Sequence, residues 1–146
     1  HLDPFLLNGL AASDLLLTPT PPAQVDFHST LKYLTRLPEM LERLEEEGVE
    51  PRLSASIGFM SKMTGKRDHE TSHSLAREVY ASTILDASLP RLDGFERCGE
   101  SFDTIISANP VSYPGSAEAL KKARTEAERF TKAVFDRIEY IRGASK

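Results

Sequence analysis

Residues 116–146 carry a regular apolar pattern that predicts the longest element of this chain. Apolar side chains recur there every three or four positions, which is the spacing of one face of an α-helix. They are Leu120, Ala123, Ala127, Phe130, Val134, Ile138 and Ile141. The pattern predicts a long amphipathic C-terminal helix with one buried face.

Short apolar runs in the first 89 residues predict β-strands. Residues 15–17 form an unbroken apolar run, which is typical of a buried parallel strand, and a proline-rich loop over 18–22 follows it. Residues 53–60 predict a second strand, and residues 84–89 predict a short third one before Pro90.

Helical patterns lie between these runs. A short helix is predicted over 5–12, with Asp3 as N-cap and Pro4 at its first position. A second is capped by Asp26 and ends at Gly48, and Pro38 is expected to kink or break it near Leu37. A third extends from Asp68 to about residue 81, with Leu75 and Val79 inward. Residues 95–106 predict a helical segment broken by Gly94 and Gly99. This alternation predicts an α/β fold with a parallel sheet flanked by helices.

Composition excludes several classes of protein. A chain of 146 residues suits one domain, and its net charge of −4 excludes a protein that is basic overall. No apolar run approaches the roughly 20 residues that span a bilayer, so a membrane protein is excluded. Cys98 is the single cysteine and cannot form an internal disulfide; a buried, inert thiol in a reducing compartment is expected.

The chain opens on His1-Leu2-Asp3-Pro4, without an initiator methionine and directly before an apolar stretch. Two explanations are open: the chain is a processed product, or it is a piece of a longer protein. If the chain begins within a domain, it has an apolar edge that requires partners from the rest of that domain.

One motif matches a catalytic pattern. Residues 69–73 read His-Glu-Thr-Ser-His, the H-E-x-x-H of zinc hydrolases, in which two histidines share a helical face. The flanking residues are charged and no histidine follows, so a solvated helix turn is the favoured interpretation and no metal ligand is assigned. The sequence contains no nucleophile motif and no G-x-x-x-x-G-K-[ST] phosphate loop, so no catalytic residue is assigned.

Charge is unevenly distributed. Residues 116–146 contain eight Lys and Arg against five Asp and Glu, while the rest of the chain is strongly acidic. A basic end can contact phosphates without reading sequence. A helix with an ordinary mixed-charge surface explains the same pattern equally well.

Three segments resemble the ParA family of partition ATPases. Residues 3–22 place Ala-Ala-Ser-Asp at a helix end, then a hydrophobic strand and a proline loop, as the family does after its Walker B strand. Residues 58–64 (Gly-Phe-Met-Ser-Lys-Met-Thr) and 89–97 (Leu-Pro-Arg-Leu-Asp-Gly-Phe-Glu-Arg) resemble its large plasmid-encoded, SopA-like branch. The similarity covers essentially the whole chain.

The resemblance implies that residues 1–146 are the C-terminal portion of a deviant-Walker, MinD-like P-loop ATPase domain. The lysine loop, the Walker B aspartate and the N-terminal DNA-binding region would then precede His1. It further implies ATP and Mg²⁺ in the intact protein and none bound to this portion alone. An ATP-driven homodimer, non-specific DNA and a ParB- or SopB-type centromere-binding partner are implied, at the nucleoid in the cytoplasm.

The resemblance also implies site residues. Those expected near the nucleotide are Thr18, Pro19, Ser61, Lys62, Met63, Pro90, Leu92 and Phe95. Ligands of open α/β sheets bind at the carboxyl ends of the strands, which agrees with this set. Those expected to contact DNA are Arg91, Arg97, Lys121, Lys122 and Arg124.

Two further functions compete with the partition ATPase. A non-enzymatic α/β module would bind DNA or a protein through its basic helix, independently of ATP. A zinc hydrolase would use His69 and His73.

Overall fold

The computed structural model describes residues 3–80, 83–100 and 102–144. Its helices are α1 (Pro4–Ala12), α2 (Gln24–Glu46), α3 (Arg67–Tyr80), α4 (Asp93–Glu100) and α5 (Ala117–Ala144), and its strands are β1 (Leu15–Thr20) and β2 (Ala55–Met60). The two strands are parallel and in register from Leu15 opposite Ala55 to Thr20 opposite Met60. The predicted α/β fold with a parallel sheet is confirmed at this level.

Helices cover both faces of the sheet because side chains alternate along each strand. On one face, Ile57 and Phe59 of β2 pack with Val134, and Phe130 and Ile138 of α5 pack against them. On the other face, Met60 packs with Phe27 of α2 and Ala76 of α3. A further cluster joins α1 and α2 through Leu10, Leu37, Met40 and Leu44.

Local sequence signals locate several helix ends correctly. The Asp3 carboxylate accepts a hydrogen bond from the Phe5 N–H at 2.9 Å, and Pro4 opens α1, as predicted. The Ser116 hydroxyl accepts from the Ala119 N–H at the start of α5, whose Leu120, Ala123 and Val134 are buried. The long C-terminal helix is therefore confirmed.

Other predictions of local structure are wrong. β1 continues through Pro19 to Thr20, where a loop was expected. α2 begins at Gln24 without a side-chain cap and places Asp26 in its first turn, and it does not break at Pro38. α4 includes both Gly94 and Gly99 and ends at Glu100, and residues 102–106 are turns and irregular backbone.

The inward face of α3 also differs from the prediction. Leu75 and Val79 are 47% and 52% exposed, whereas His73 and Ala76 are buried. The small side chain of Ala76 and the hydrogen-bonding ring of His73 let α3 approach residues 84–89 closely. Those residues run beside β2 through isolated hydrogen bonds, such as Leu85 N–H to the Gly58 carbonyl at 2.9 Å, and they form no regular strand.

Two composition-based expectations can be compared with the described residues. None of the helices described for this chain is long and apolar enough to cross a bilayer. Cys98 is buried, as expected.

Candidate functional site

Three loops meet at the carboxyl edge of the sheet. They follow β1 (residues 21–23), β2 (residues 61–66) and the segment beside β2 (residues 88–92). Ligands of open parallel sheets bind at this edge, because the loops there leave a crevice between strand ends. This edge is therefore the candidate site.

Backbone hydrogen bonds hold the loops against one another. Ser61 N–H donates to the Thr20 carbonyl at 3.0 Å, and Met63 N–H donates to the Leu89 carbonyl at 3.1 Å. The Met63 carbonyl accepts from Arg91 N–H at 2.8 Å. Since such bonds fix both partners, the crevice is built from loops with defined positions.

The loop after β2 contains a left-handed residue. Lys62 has a φ of 55°, and Gly65 follows with a φ of 73°. A non-glycine residue adopts this conformation at a cost of about 1–2 kcal/mol. The turn lets the Lys62 side chain line the larger of two cavities in the crevice.

The larger cavity has a volume of about 720 Å³, and its lining carries three cations and one carboxylate, that of Asp68. Lys62, Lys66 and Arg91 contribute cations, and Pro21 and Pro22 form one wall. His69 lies in the same wall, where its Nδ1 accepts a hydrogen bond from Thr64 N–H at 3.2 Å.

The smaller cavity has a volume of about 320 Å³ and combines an apolar wall with a basic rim. Met63, Pro90 and Leu92 supply the apolar wall, and Arg91, Lys122 and Arg129 are the cations. Arg129 is positioned by the Glu126 carboxylate at 2.8 Å and by the Ser88 carbonyl at 2.7 Å. Arg91 and Thr64 line both cavities, so the two are adjacent.

Four of the eight residues expected near the nucleotide line these cavities: Lys62, Met63, Pro90 and Leu92. Thr18, Pro19, Ser61 and Phe95 line neither of the two. Thr18 is buried, on the face of β1 that α2 covers, and its hydroxyl finds no hydrogen-bond partner in the structure. Pro19 is exposed on the opposite face.

The five residues expected to contact DNA lie in three different environments. Arg91 and Lys122, far apart in sequence, come together at the smaller cavity. Arg97 donates to the Pro114 carbonyl at 3.3 Å. Arg124 donates to the carbonyls of Ile105 at 2.8 Å, Ile106 at 3.2 Å and Ala108. Lys121 is exposed on another part of α5.

Sequence reasoning missed Arg129, Lys66 and Thr64 at this edge. A helical spacing could have indicated Arg129, which follows Lys122 by seven positions and therefore lies on the same face of α5. No such signal exists for Thr64, because its position depends on how the loops pack.

The H-E-x-x-H histidines form hydrogen bonds with other segments of the chain. His69 bonds Thr64, and His73 is buried with its Nε2 3.3 Å from the Leu85 carbonyl. The interpretation as a solvated helix turn is thus wrong for His73. Within the described ranges, no group of three or more His, Cys, Asp or Glu side chains could hold a metal ion.

The fold and this edge define the class: an α/β unit with parallel strands, helices on both faces and basic loops at the carboxyl edge. Comparison with known proteins is more specific. The chain is 63% identical, over 97% of its length, to plasmid partition protein A of Escherichia coli. The resemblance to plasmid partition proteins is therefore confirmed, and the match is to a C-terminal part of that relative.

Two other comparisons agree. A solved structure titled "Partition Protein" covers 98% of this chain with 78% identity and a TM-score of 0.70. Protein SopA of Escherichia coli strain K12 is 22% identical over 90% of the chain. The chain spans about a third of each of these proteins (36%, 34% and 34%). No protein-family model matches it.

Proposed function

We propose that this chain is the C-terminal portion of an ATP-hydrolysing plasmid partition protein, which separates plasmid copies before division. The observation that carries the proposal is the 63% identity to plasmid partition protein A over nearly the whole chain. In this proposal the carboxyl edge of the sheet supplies walls of the nucleotide site and a surface for DNA phosphates.

The lining of the cavities supports a nucleotide. Met63, Pro90 and Leu92 offer an apolar wall suited to a base, and Lys62 and Arg91 offer positive charge suited to phosphates. Bound Mg²⁺ would neutralise phosphate charge. In this proposal, the residues that bind the phosphates directly belong to the part of the protein that precedes His1.

The proposal extends to the assembly. ATP drives a homodimer that binds DNA non-specifically, and a ParB- or SopB-type centromere-binding partner stimulates hydrolysis. The assembly acts at the nucleoid in the cytoplasm. A basic surface that includes Arg91 and Lys122 supports the DNA step, since non-specific DNA binding is carried by contacts to phosphates.

Hydrolysis tests the enzymatic proposal. The isolated chain is expected to hydrolyse ATP only at background rate, because its sequence contains no phosphate-binding loop. A joined protein, in which the preceding portion of plasmid partition protein A is fused to residue 1, is expected to hydrolyse ATP.

Lys62→Asn in the joined protein should weaken ATP binding about tenfold, the effect of losing roughly 1.4 kcal/mol. Steady-state phosphate release and calorimetry measure both.

Asparagine suits this test because it tolerates the left-handed backbone of residue 62. Lys132→Asn on the exposed side of α5 is the matched control and should leave ATP binding and hydrolysis unchanged. Turnover by the isolated chain at about 1 s⁻¹ or faster contradicts the proposal, as does a joined protein that does not bind ATP.

A non-enzymatic DNA-binding module is the second candidate, and the cations around the smaller cavity favour it. It predicts that the isolated chain binds duplex DNA without ATP. Lys122→Ala should then reduce the magnitude of the slope of log affinity against log salt concentration by about one. Lys121→Ala, on another part of α5, is the neighbouring control and should flatten it less. An unchanged slope for Lys122→Ala removes the cavity from the DNA surface.

A further inference from the structure

We propose that Arg129 is a positioning residue of the smaller cavity, where it holds the wall formed by α5 at a fixed distance from the apolar wall. The inference rests on the proposed function, since it assigns this cavity to a nucleotide. It goes beyond that function because Arg129 acts on the site through two neighbours, Glu126 and Ser88, and not through contact with the ligand.

The guanidinium of Arg129 bridges two segments that are far apart in the sequence. Its Nε donates to Oε2 of Glu126 at 2.9 Å, and its Nη2 lies 2.8 Å from the same oxygen. Nη2 also donates to the Ser88 carbonyl at 2.7 Å. Arginine carries five N–H donors in a rigid fork, so one side chain can hold a carboxylate and a carbonyl together. Arg129 thereby ties α5 to the start of the 88–92 loop.

The apolar wall of the cavity is connected to Ser88 through the backbone. Met63 N–H donates to the Leu89 carbonyl at 3.1 Å, and Arg91 N–H donates to the Met63 carbonyl at 2.8 Å. These two bonds join Met63 to the residues on either side of Pro90. Because Leu89 directly follows Ser88, the position of the Ser88 carbonyl sets the position of this wall relative to α5.

The facing wall is one side of α5. Lys122, Glu126 and Arg129 are spaced by four and three positions, so they share a helical face, and all three line the cavity. The side chains of Arg129 and Glu126 are 46% and 26% exposed. Ion pairs at such exposure contribute little to the stability of a fold. The effect expected from Arg129 is therefore on the shape of the cavity.

The packing of α5 on the sheet does not depend on Arg129. Phe130 contacts Phe59 of β2 with the ring centroids 4.6 Å apart, and Val134 is buried against Ile57. Loss of the Arg129 bonds should leave these contacts in place. The helix then stays on the sheet while the 88–92 loop is released from it.

Glu126 separates a positioning role from direct binding of the nucleotide. Among the described residues that line this cavity, Glu126 is the one with a negative charge. If Arg129 bound phosphate directly, removing the Glu126 carboxylate would free the guanidinium and strengthen ATP binding. If Arg129 positions the wall, the same change removes its anchor on α5 and weakens ATP binding. The two roles thus predict effects of opposite sign.

Variants of the joined protein provide the test. Arg129→Lys keeps the charge but not the fork, so it should raise Kd and KM for ATP about tenfold and change kcat by less than about twofold. Its Tm should stay within about 2 °C of the parent protein. Glu126→Gln should raise Kd about threefold. Calorimetry and steady-state phosphate release measure these constants.

Arg137→Lys is the matched control. Arg137 also donates from α5 to a carbonyl of the segment beside β2, that of Ile84 at 3.4 Å, but it does not line the smaller cavity. This variant should leave ATP affinity unchanged. An equal loss of affinity in Arg137→Lys and Arg129→Lys would show a general effect of the contact between α5 and the segment, and would overturn the inference.

Hydrogen exchange without nucleotide tests the geometry independently of ATP. In Arg129→Lys, the amides of Met63 and Arg91 should exchange about tenfold faster, because the loop that they hold is released from α5. The Leu85 amide, which donates to the Gly58 carbonyl at 2.9 Å, should keep its rate.

Tighter ATP binding by Glu126→Gln would overturn the inference, and so would parental ATP affinity or parental exchange in Arg129→Lys. If exchange at Met63 and Arg91 accelerates as expected but the joined protein binds no ATP, the positioning of the wall by Arg129 stands and the nucleotide proposal fails. ATP binding with unchanged exchange has the opposite meaning.

Discussion

Replacing Arg124 with alanine is expected to lower the free energy of unfolding by about 2–3 kcal/mol. The guanidinium donates to three carbonyls of the 105–108 turn, and those to Ile105 and Ala108 are partly buried. Removing a charged donor costs its hydrogen bonds and leaves buried carbonyls unsatisfied. Urea denaturation followed by circular dichroism measures the loss.

Arg124→Lys separates the two roles that can be assigned to this residue. Lysine keeps the charge but is a compact ammonium that cannot reproduce the planar fork of arginine. It should therefore lose stability while retaining any DNA affinity that depends on charge alone. Lys121→Ala, at an exposed neighbour, should change stability by less than about 0.5 kcal/mol. Wild-type stability of Arg124→Ala would show that the three contacts contribute nothing.

Gly94→Ala is expected to destabilise the chain by about 2–3 kcal/mol, through crowding at the contact between α4 and α5. A Cβ on Gly94 would lie 2.5 Å from the Ala123 Cβ and 3.1 Å from the Ala119 carbonyl oxygen. Inserting a carbon into so close a contact forces the helices apart. Thermal and urea unfolding measure the effect.

The same helix supplies a matched control. Gly99 has open space around its Cβ position, so Gly99→Ala should be neutral or stabilising by up to about 1 kcal/mol. Combining Gly94→Ala with Ala123→Gly should recover part of the lost stability, because it removes the nearer of the two clashing atoms. Equal effects of the two glycine substitutions would contradict the role assigned to Gly94.

Sequence patterns were sufficient wherever one local rule governed the outcome. The spacing of Leu120, Ala123 and Val134 specified the buried face of α5, and Asp3 with Pro4 specified the start of α1. The apolar runs at 15–17 and 53–60 located both parallel strands, although β1 extends three residues beyond its run. Relatives named as partition proteins agree with the resemblance carried by residues 3–22, 58–64 and 89–97.

Patterns failed where a residue's environment came from distant segments. Leu75 and Val79 looked like core residues, yet α3 turns His73 and Ala76 inward because residues 84–89 lie close beside it. Arg124 looked like a surface cation, yet it bonds backbone carbonyls of the 105–108 turn. The burial and the hydrogen-bond partners of such side chains depend on distant segments of the chain. The residues within one helical turn therefore do not specify them.

For the candidate site, the sequence alone determined that basic and apolar residues follow β2 and the segment beside it, among them Lys62, Pro90 and Leu92. The tertiary structure alone decided that Arg91 meets Lys122 and Arg129 at one cavity, and that Arg97 and Arg124 are used elsewhere. Helix and strand periods arise from the local backbone, so a sequence displays them. The meeting of loops depends on packing and hydrogen bonds between residues far apart in the chain, which only the folded molecule brings together.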